Sequence, residues 1–217
     1  MQEKRWKIKG IIFDLDGTIV DSREAYTEAV RKAFSAIGME IDDKMAVEIP
    51  RRLEQGFLID DLVGKENAEK FLDVYLKTYY AKTADKTRLF PNVRKTLEEI
   101  SKKAKLALIT MRYVPKNKVI EELKKFGIIK YFQTVITALS TKHPKPSPEV
   151  FIKCAEKLNV KTGECMIVGD SVVDVRAGKK AGMKTVAVLS GIFTKEELER
   201  EKPDLILDNI NFLTRIL

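Results

Sequence analysis

Six short apolar runs set the strongest limit on what this chain can fold into: Ile8–Phe13, Leu106–Ile109, Thr134–Thr137, Met166–Val168, Thr185–Leu189 and Leu205–Leu207. Each is rich in Ile, Val or Leu and is closed by a turn or a polar residue, the pattern of a strand buried on both faces. Helical patterns lie between most of them. Val93–Ile100 precedes the second run, and Lys118–Phe126 ends at Gly127, a good residue just past a helix. Ser147-Pro148-Glu149 reads as a helix start, with Ser147 as N-cap and Pro148 in the first helical position. The apolar set that follows, Val150, Phe151, Cys154, Ala155 and Leu158, keeps a 3.6-residue period. Strands alternating with helices predict the α/β class with a doubly wound, mainly parallel sheet.

One stretch breaks the alternation. From Asp21 to Arg88 no convincing strand occurs, yet helical periodicity is strong. Ala25, Tyr26, Ala29, Val30, Ala33, Phe34 and Ile37 form one stripe; Ala68, Phe71, Leu72, Tyr75, Leu76 and Tyr79 form another. A crossover between parallel strands needs about a dozen residues, and this stretch is several times that length. It is therefore read as a small helical domain, residues 21–88, inserted between strands one and two of a core made of residues 1–20 and 89–217.

Composition excludes several classes. No apolar run exceeds four residues, so no segment is expected to span a bilayer. The basic start Lys4, Arg5, Lys7, Lys9 leads straight to Asp14 without the apolar stretch of a signal peptide. Cys154 and Cys165 are the only cysteines, too few for a disulfide framework. These features predict a cytoplasmic protein. The 40 Lys and Arg exceed the 32 Asp and Glu to give a net charge of +8, but the signs alternate, as in Glu121, Glu122, Lys124, Lys125. Such mixing marks solvated helix faces, and without an aromatic-interleaved basic motif no nucleic-acid partner is expected. Three glutamines, Gln2, Gln55 and Gln133, beside many Lys and Glu suggest the ion-pair networks of a thermophilic source.

The chemistry sits where strands end. Strand one runs into Asp14-Leu15-Asp16-Gly17-Thr18, placing two carboxylates and a hydroxyl at the C-terminal end of a strand, where open α/β sheets bind ligands. An Asp-rich turn is the plainer reading. Strand four runs into Gly169-Asp170-Ser171-Val172-Val173-Asp174; the four-residue spacing puts Asp170 and Asp174 on one side of a first helical turn, and N-capping by Asp170 or Ser171 is the plainer reading there. Four carboxylates at the ends of two strands repel one another unless a cation joins them. Hard oxygen donors without His or Cys point to Mg²⁺ rather than zinc. Lys145, in the loop Lys145-Pro146-Ser147-Pro148, follows strand three at the same end of the sheet. Strand two ends in Thr110-Met111-Arg112, and two readings stay open for Thr110: a strand-end hydroxyl, or a donor to an anionic oxygen.

Taken together, the chain resembles the haloacid dehalogenase superfamily, in particular its phosphoglycolate-phosphatase-like branch. The resemblance rests on DLDGT at Asp14–Thr18 followed by Val20-Asp21-Ser22, on Thr110, on Lys145 in HPKPSPE, and on GDSVVD at Gly169–Asp174, with further likeness in Ala177–Val188 and Leu89–Ile100. It implies a Rossmann-like core with a helical cap after strand one. It also implies roles: Asp14 as nucleophile forming an aspartyl phosphate, and Asp16 as acid and then base. Mg²⁺ would be held by Asp14, the backbone carbonyl of Asp16 and Asp170, with Asp174 in support. Thr110 and Lys145 would bind phosphoryl oxygens, with Thr18, Met111 and Arg112 on the substrate side. Met111 departs from the Asn, and Arg112 from the Lys, that many relatives carry. Asp16 separates phosphoryl transfer from dehalogenation, which needs no protonated leaving group.

The cap is expected to close over the site and set specificity. Its stretch Ile49-Pro50-Arg51-Arg52, read as a loop, offers Arg51 and Arg52 to an anionic substrate group; exposed basic residues on a cap helix are the plainer alternative. The resulting expectation is a Mg²⁺-dependent phosphatase of a small phosphorylated metabolite, phosphoglycolate-type esters favoured, working as a monomer or homodimer. The alternatives are a sugar-phosphate mutase of the same branch and a phosphate-binding interaction protein without turnover.

Overall fold

The computed structural model describes residues 6–217; Gln2, Lys4 and Arg5 lie outside them. The chain divides into two compact units. The first comprises the described residues up to Val20 together with Leu89–Leu217, and the second is Asp21–Arg88.

In the first unit, β1 (Gly10–Asp14) lies inside a six-stranded sheet with β4 (Lys105–Ile109), β5 (Phe132–Ile136), β6 (Cys165–Gly169), β7 (Lys184–Val188) and β8 (Leu205–Leu207). Their order is β5-β4-β1-β6-β7-β8, and neighbours run parallel. Period-two alternation sends Ile11, Phe13, Leu106, Leu108, Met166 and Val168 to one face. Helices α5 (Val93–Ile100) and α6 (Lys116–Lys125) bury Val93, Leu97, Val119 and Leu123 in the same cluster. Ile12, Ala107, Ile109 and Ile167 point to the other face and join Val150, Phe151 and Cys154 of α7 (Glu149–Leu158). Ala177 of α8 (Val172–Lys180) lies in that cluster too, and α9 (Lys195–Arg200) buries Leu198 in a smaller one. With both faces covered, each strand must be apolar at nearly every position, which is why the runs stand out in the sequence. Each fully buried Ile or Leu contributes on the order of 2 kcal/mol.

Several boundaries differ from the sequence expectation. The β1 ladder begins at Gly10, opposite Lys105 and Cys165, rather than at Ile8. Thr137 and Leu189 lie beyond β5 and β7. Strand ends follow the reach of the neighbouring ladder, not the apolar pattern. Helix α7 starts one residue later than expected, with Pro148 as its cap, although the Ser147 hydroxyl still accepts from the Glu149 backbone N–H at 3.3 Å. Gly127 follows α6 with φ of 69°, the left-handed geometry that ends a helix.

The chain leaves and re-enters the core unit through β2 (Val20–Asp21) and β3 (Arg88–Leu89). The second unit is helical: α1 (Arg23–Ala36), α2 (Asp43–Glu54), α3 (Asp60–Val63) and α4 (Ala68–Lys86). Its core gathers Ala29, Val30, Ala33, Phe34, Ile49, Phe71 and Tyr75, with Phe34 and Phe71 edge to face at 4.9 Å. On α4 the buried side is narrower than the expected stripe: Phe71, Tyr75 and Tyr79 stack at four-residue intervals, and Leu76, about 100° round the helix, is exposed. Residues 49–52 lie within α2, not in a loop. Burial of Ala46, Ile49 and Pro50 holds that helix despite the missing proline N–H.

Candidate active site

Parallel pairing brings three strand ends together. Asp14 sits opposite Ile109, and Phe13 opposite Val168. The residues that follow, Asp16 after β1, Thr110 after β4 and Asp170 after β6, therefore emerge at one edge of the sheet, where the strand order changes direction about β1. A tight turn follows β1, with Gly17 N–H donating to the Val20 carbonyl at 2.8 Å and Ile19 N–H to Leu15 at 2.9 Å.

Asp14, Asp170 and Asp174 are buried, and one oxygen from each lies within 4.8 Å of the others. Lys145 is the cation among them. Its ammonium donates to Asp14 Oδ1 at 2.7 Å and to Asp174 Oδ1 at 2.8 Å, with only 2% of its side chain exposed. At those separations in a dry site each attraction is far stronger than its aqueous value. Thr18 Oγ donates to Asp170 Oδ1 at 2.9 Å. The backbone leaves Asp170 little freedom: Gly17, at φ 78°, and Gly191 press so close that a Cβ on either would lie within 2.4 Å of its carboxylate.

Asp170 precedes α8 rather than opening it. Ser171 is the N-cap, and with Asp174 it forms a reciprocal capping box, Asp174 N–H to Ser171 Oγ at 3.3 Å. Capping and clustering are thus not rival readings, since the Asp174 carboxylate serves both the Ser171 N–H and Lys145.

Asp16 stands apart from the buried trio. Arg112 grips it through two bonds, Nε to Oδ2 at 2.8 Å and Nη2 to Oδ1 at 2.5 Å. Thr110 Oγ lies 3.4 Å from Asp16 Oδ2 and accepts from the Arg112 backbone N–H at 3.2 Å. The third arm of Arg112, Nη1, reaches Glu122 Oε2 of α6 at 2.5 Å. Burial pushes the Glu122 carboxyl above its ordinary range, against the opposing pull of Arg112. Sequence reasoning missed Glu122, because nothing in a Glu-Glu-Leu-Lys-Lys helix face marks one acid as turned inward. Arg112, expected on the substrate side, is buried between two carboxylates. Met111 is half-buried and packs against the cluster that holds Ile109. Arg51 and Arg52 belong to the helical unit, where Arg52 pairs with Glu48 at 3.2 Å and Asp61 at 2.7 Å.

The arrangement offers a buried nucleophilic carboxylate beside a lysine, an all-oxygen donor set and a separate, partly exposed carboxylate two residues on. Oxygen donors alone suit a hard divalent cation such as Mg²⁺, and the glycine-lined seat of Asp170 fits such a group.

Comparison with known proteins agrees with that chemistry. A family model described as haloacid dehalogenase-like hydrolase matches residues 11–188. A relative from Clostridium perfringens that carries a pyrophosphatase name, PpaX, is 32% identical over 206 residues, 93% of each chain. A phosphoglycolate phosphatase from Vibrio parahaemolyticus is 30% identical over 221 residues, 97% of this chain and 96% of that one. The solved structure of a haloacid dehalogenase-like family protein, SP0104 from Streptococcus pneumoniae, superposes with a TM-score of 0.83 at 23% identity, covering 96% of this chain and 98% of that one.

Proposed function

The chain belongs to the haloacid dehalogenase-like hydrolase family, and on that footing we propose that it is a phosphomonoesterase of small phosphorylated metabolites, phosphoglycolate-type esters first among them. One observation carries the reading: the Asp14 carboxylate is seated at the mouth of β1 on a buried lysine, with a second carboxylate, Asp16, held separately two residues on.

Asp14 attacks phosphorus, the P–O bond to the leaving group breaks, and Asp16 gives the departing oxygen its proton. Asp16 then takes a proton from water, whose oxygen attacks phosphorus and releases Asp14 with inorganic phosphate. Lys145 fixes Asp14 and offsets its charge, and the Thr110 hydroxyl is placed to donate to a phosphoryl oxygen. Asp14, Asp170 and the backbone carbonyl of Asp16 would hold Mg²⁺, with Asp174 supporting. When bound, that ion supplies positive charge against the repulsion between an anionic nucleophile and an anionic phosphate.

The phosphoglycolate phosphatase relative supports the ester class. A panel of phosphorylated metabolites, assayed for released phosphate with Mg²⁺ present, tests the reading. The expected outcome is inorganic phosphate from a carboxylated alkyl ester; an isomerised sugar phosphate in its place would make the protein a mutase.

A further inference from the structure

We propose that Arg112 and Glu122 are positioning residues for Asp16, so that Arg112 acts through the proton-carrying carboxylate and not on the substrate. The inference rests on the role of Asp16 stated above.

A chain of contacts runs from a rigid element to a loop. Helix α6 is fixed to the sheet by Val119 and Leu123, both buried. Glu122, from the same helix, has a side chain 13% exposed and meets Arg112, whose side chain is 4% exposed. Arg112 in turn holds both oxygens of Asp16, which lies in the turn after β1 and is the most exposed carboxylate of the site at 26%. The loop carrying Arg112 is pinned at both backbone groups: its N–H donates to Thr110 Oγ at 3.2 Å, and its carbonyl accepts from Ala138 N–H at 3.3 Å.

Stability alone does not account for this arrangement. Burying a guanidinium between two carboxylates carries a desolvation cost that well-packed apolar side chains would avoid. A planar fork bonded to both oxygens fixes the position of a carboxylate and the plane in which it lies. Each Asp16 oxygen has a second lone-pair direction for a proton. Proton transfer to a leaving oxygen needs such fixed geometry, and a misplacement of about 1 Å costs on the order of 10²-fold in rate.

Leaving groups separate positioning from binding. kcat/KM reports the steps up to the phosphoenzyme, and 2,4-dinitrophenolate departs without a proton, whereas an alkoxide needs one. Arg112→Ala is expected to lower kcat/KM for 2-phosphoglycolate or glycerol 3-phosphate by on the order of 10²-fold. For 2,4-dinitrophenyl phosphate it should remain within about threefold of wild type. Arg112→Lys should recover part of the loss, since an ammonium holds one oxygen but not the plane. Glu122→Gln should show the same selectivity at about tenfold. If Arg112→Ala does not fold by circular dichroism, Arg112→Lys and Glu122→Gln carry the comparison. Equal losses on both esters, or no loss on either, overturn the inference while leaving the phosphatase reading intact. A wild-type protein that hydrolyses neither ester overturns the phosphatase reading, and this inference with it.

Discussion

At the scale of single residues, the site is a problem of crowded negative charge. Asp14, Asp16, Asp170 and Asp174 face two buried cations, Lys145 and Arg112, while Glu122 adds a further carboxylate. The incoming phosphate adds more. Chelation should therefore abolish phosphate release, and Mg²⁺ should restore it. Ca²⁺, with its longer bonds and looser coordination, should fail to do so. Turnover that persists in chelator would contradict the donor set assigned to Asp14 and Asp170. These residues were legible in the sequence because each follows a strongly apolar run, so position along the chain reports position in the site. Glu122 was not legible, since its inward turn depends on how α6 rotates over the sheet and on Arg112 ten residues earlier.

At the scale of elements, the helical unit is held by a charged seam as well as by its core. Glu28 of α1 meets Lys82 at 3.0 Å and Lys86 at 2.8 Å, and Glu24 meets Lys86 at 2.7 Å, which ties α1 to α4. Hydrogen bonds from Lys86 and then Lys82 hold the Glu28 carboxyl down to about 2, from an ordinary 4.5. A carboxyl lowered in the folded state contributes stability that is fully present above pH 4.5 and is lost as the pH falls toward 2. The melting temperature of the wild type is accordingly expected to drop more steeply over that window than that of Glu28→Gln, with the difference shrinking in high salt. Parallel slopes would contradict the seam. The apolar stripe of α1 was readable because all six buried positions keep one helical period. The stretch around Pro50 was misread as a loop because a proline signals a break locally, while the burial that overrides it is tertiary.

At the scale of the whole molecule, the sheet makes the chemistry possible by aligning strand ends that are far apart in sequence: Asp14, Thr110 and Asp170 meet only because β4 and β6 flank β1. The charged surface follows a different logic. Glu28 joins Lys32, Lys82 and Lys86, and Arg52 joins Glu48 and Asp61. Networks of this kind gain value with temperature, whereas isolated pairs contribute little. A melting temperature above about 65 °C is expected, and one in the ordinary mesophilic range would count against a thermophilic source. The central claim, that the phosphoryl group passes through Asp14, is tested most directly by acid-quenching the enzyme during turnover of a ³²P-labelled ester and mapping the label. The expected result is label on the peptide carrying Asp14, absent in Asp14→Asn, whose turnover should fall by on the order of 10³-fold or more. Label on another residue, or near-normal phosphate release by Asp14→Asn, would contradict it.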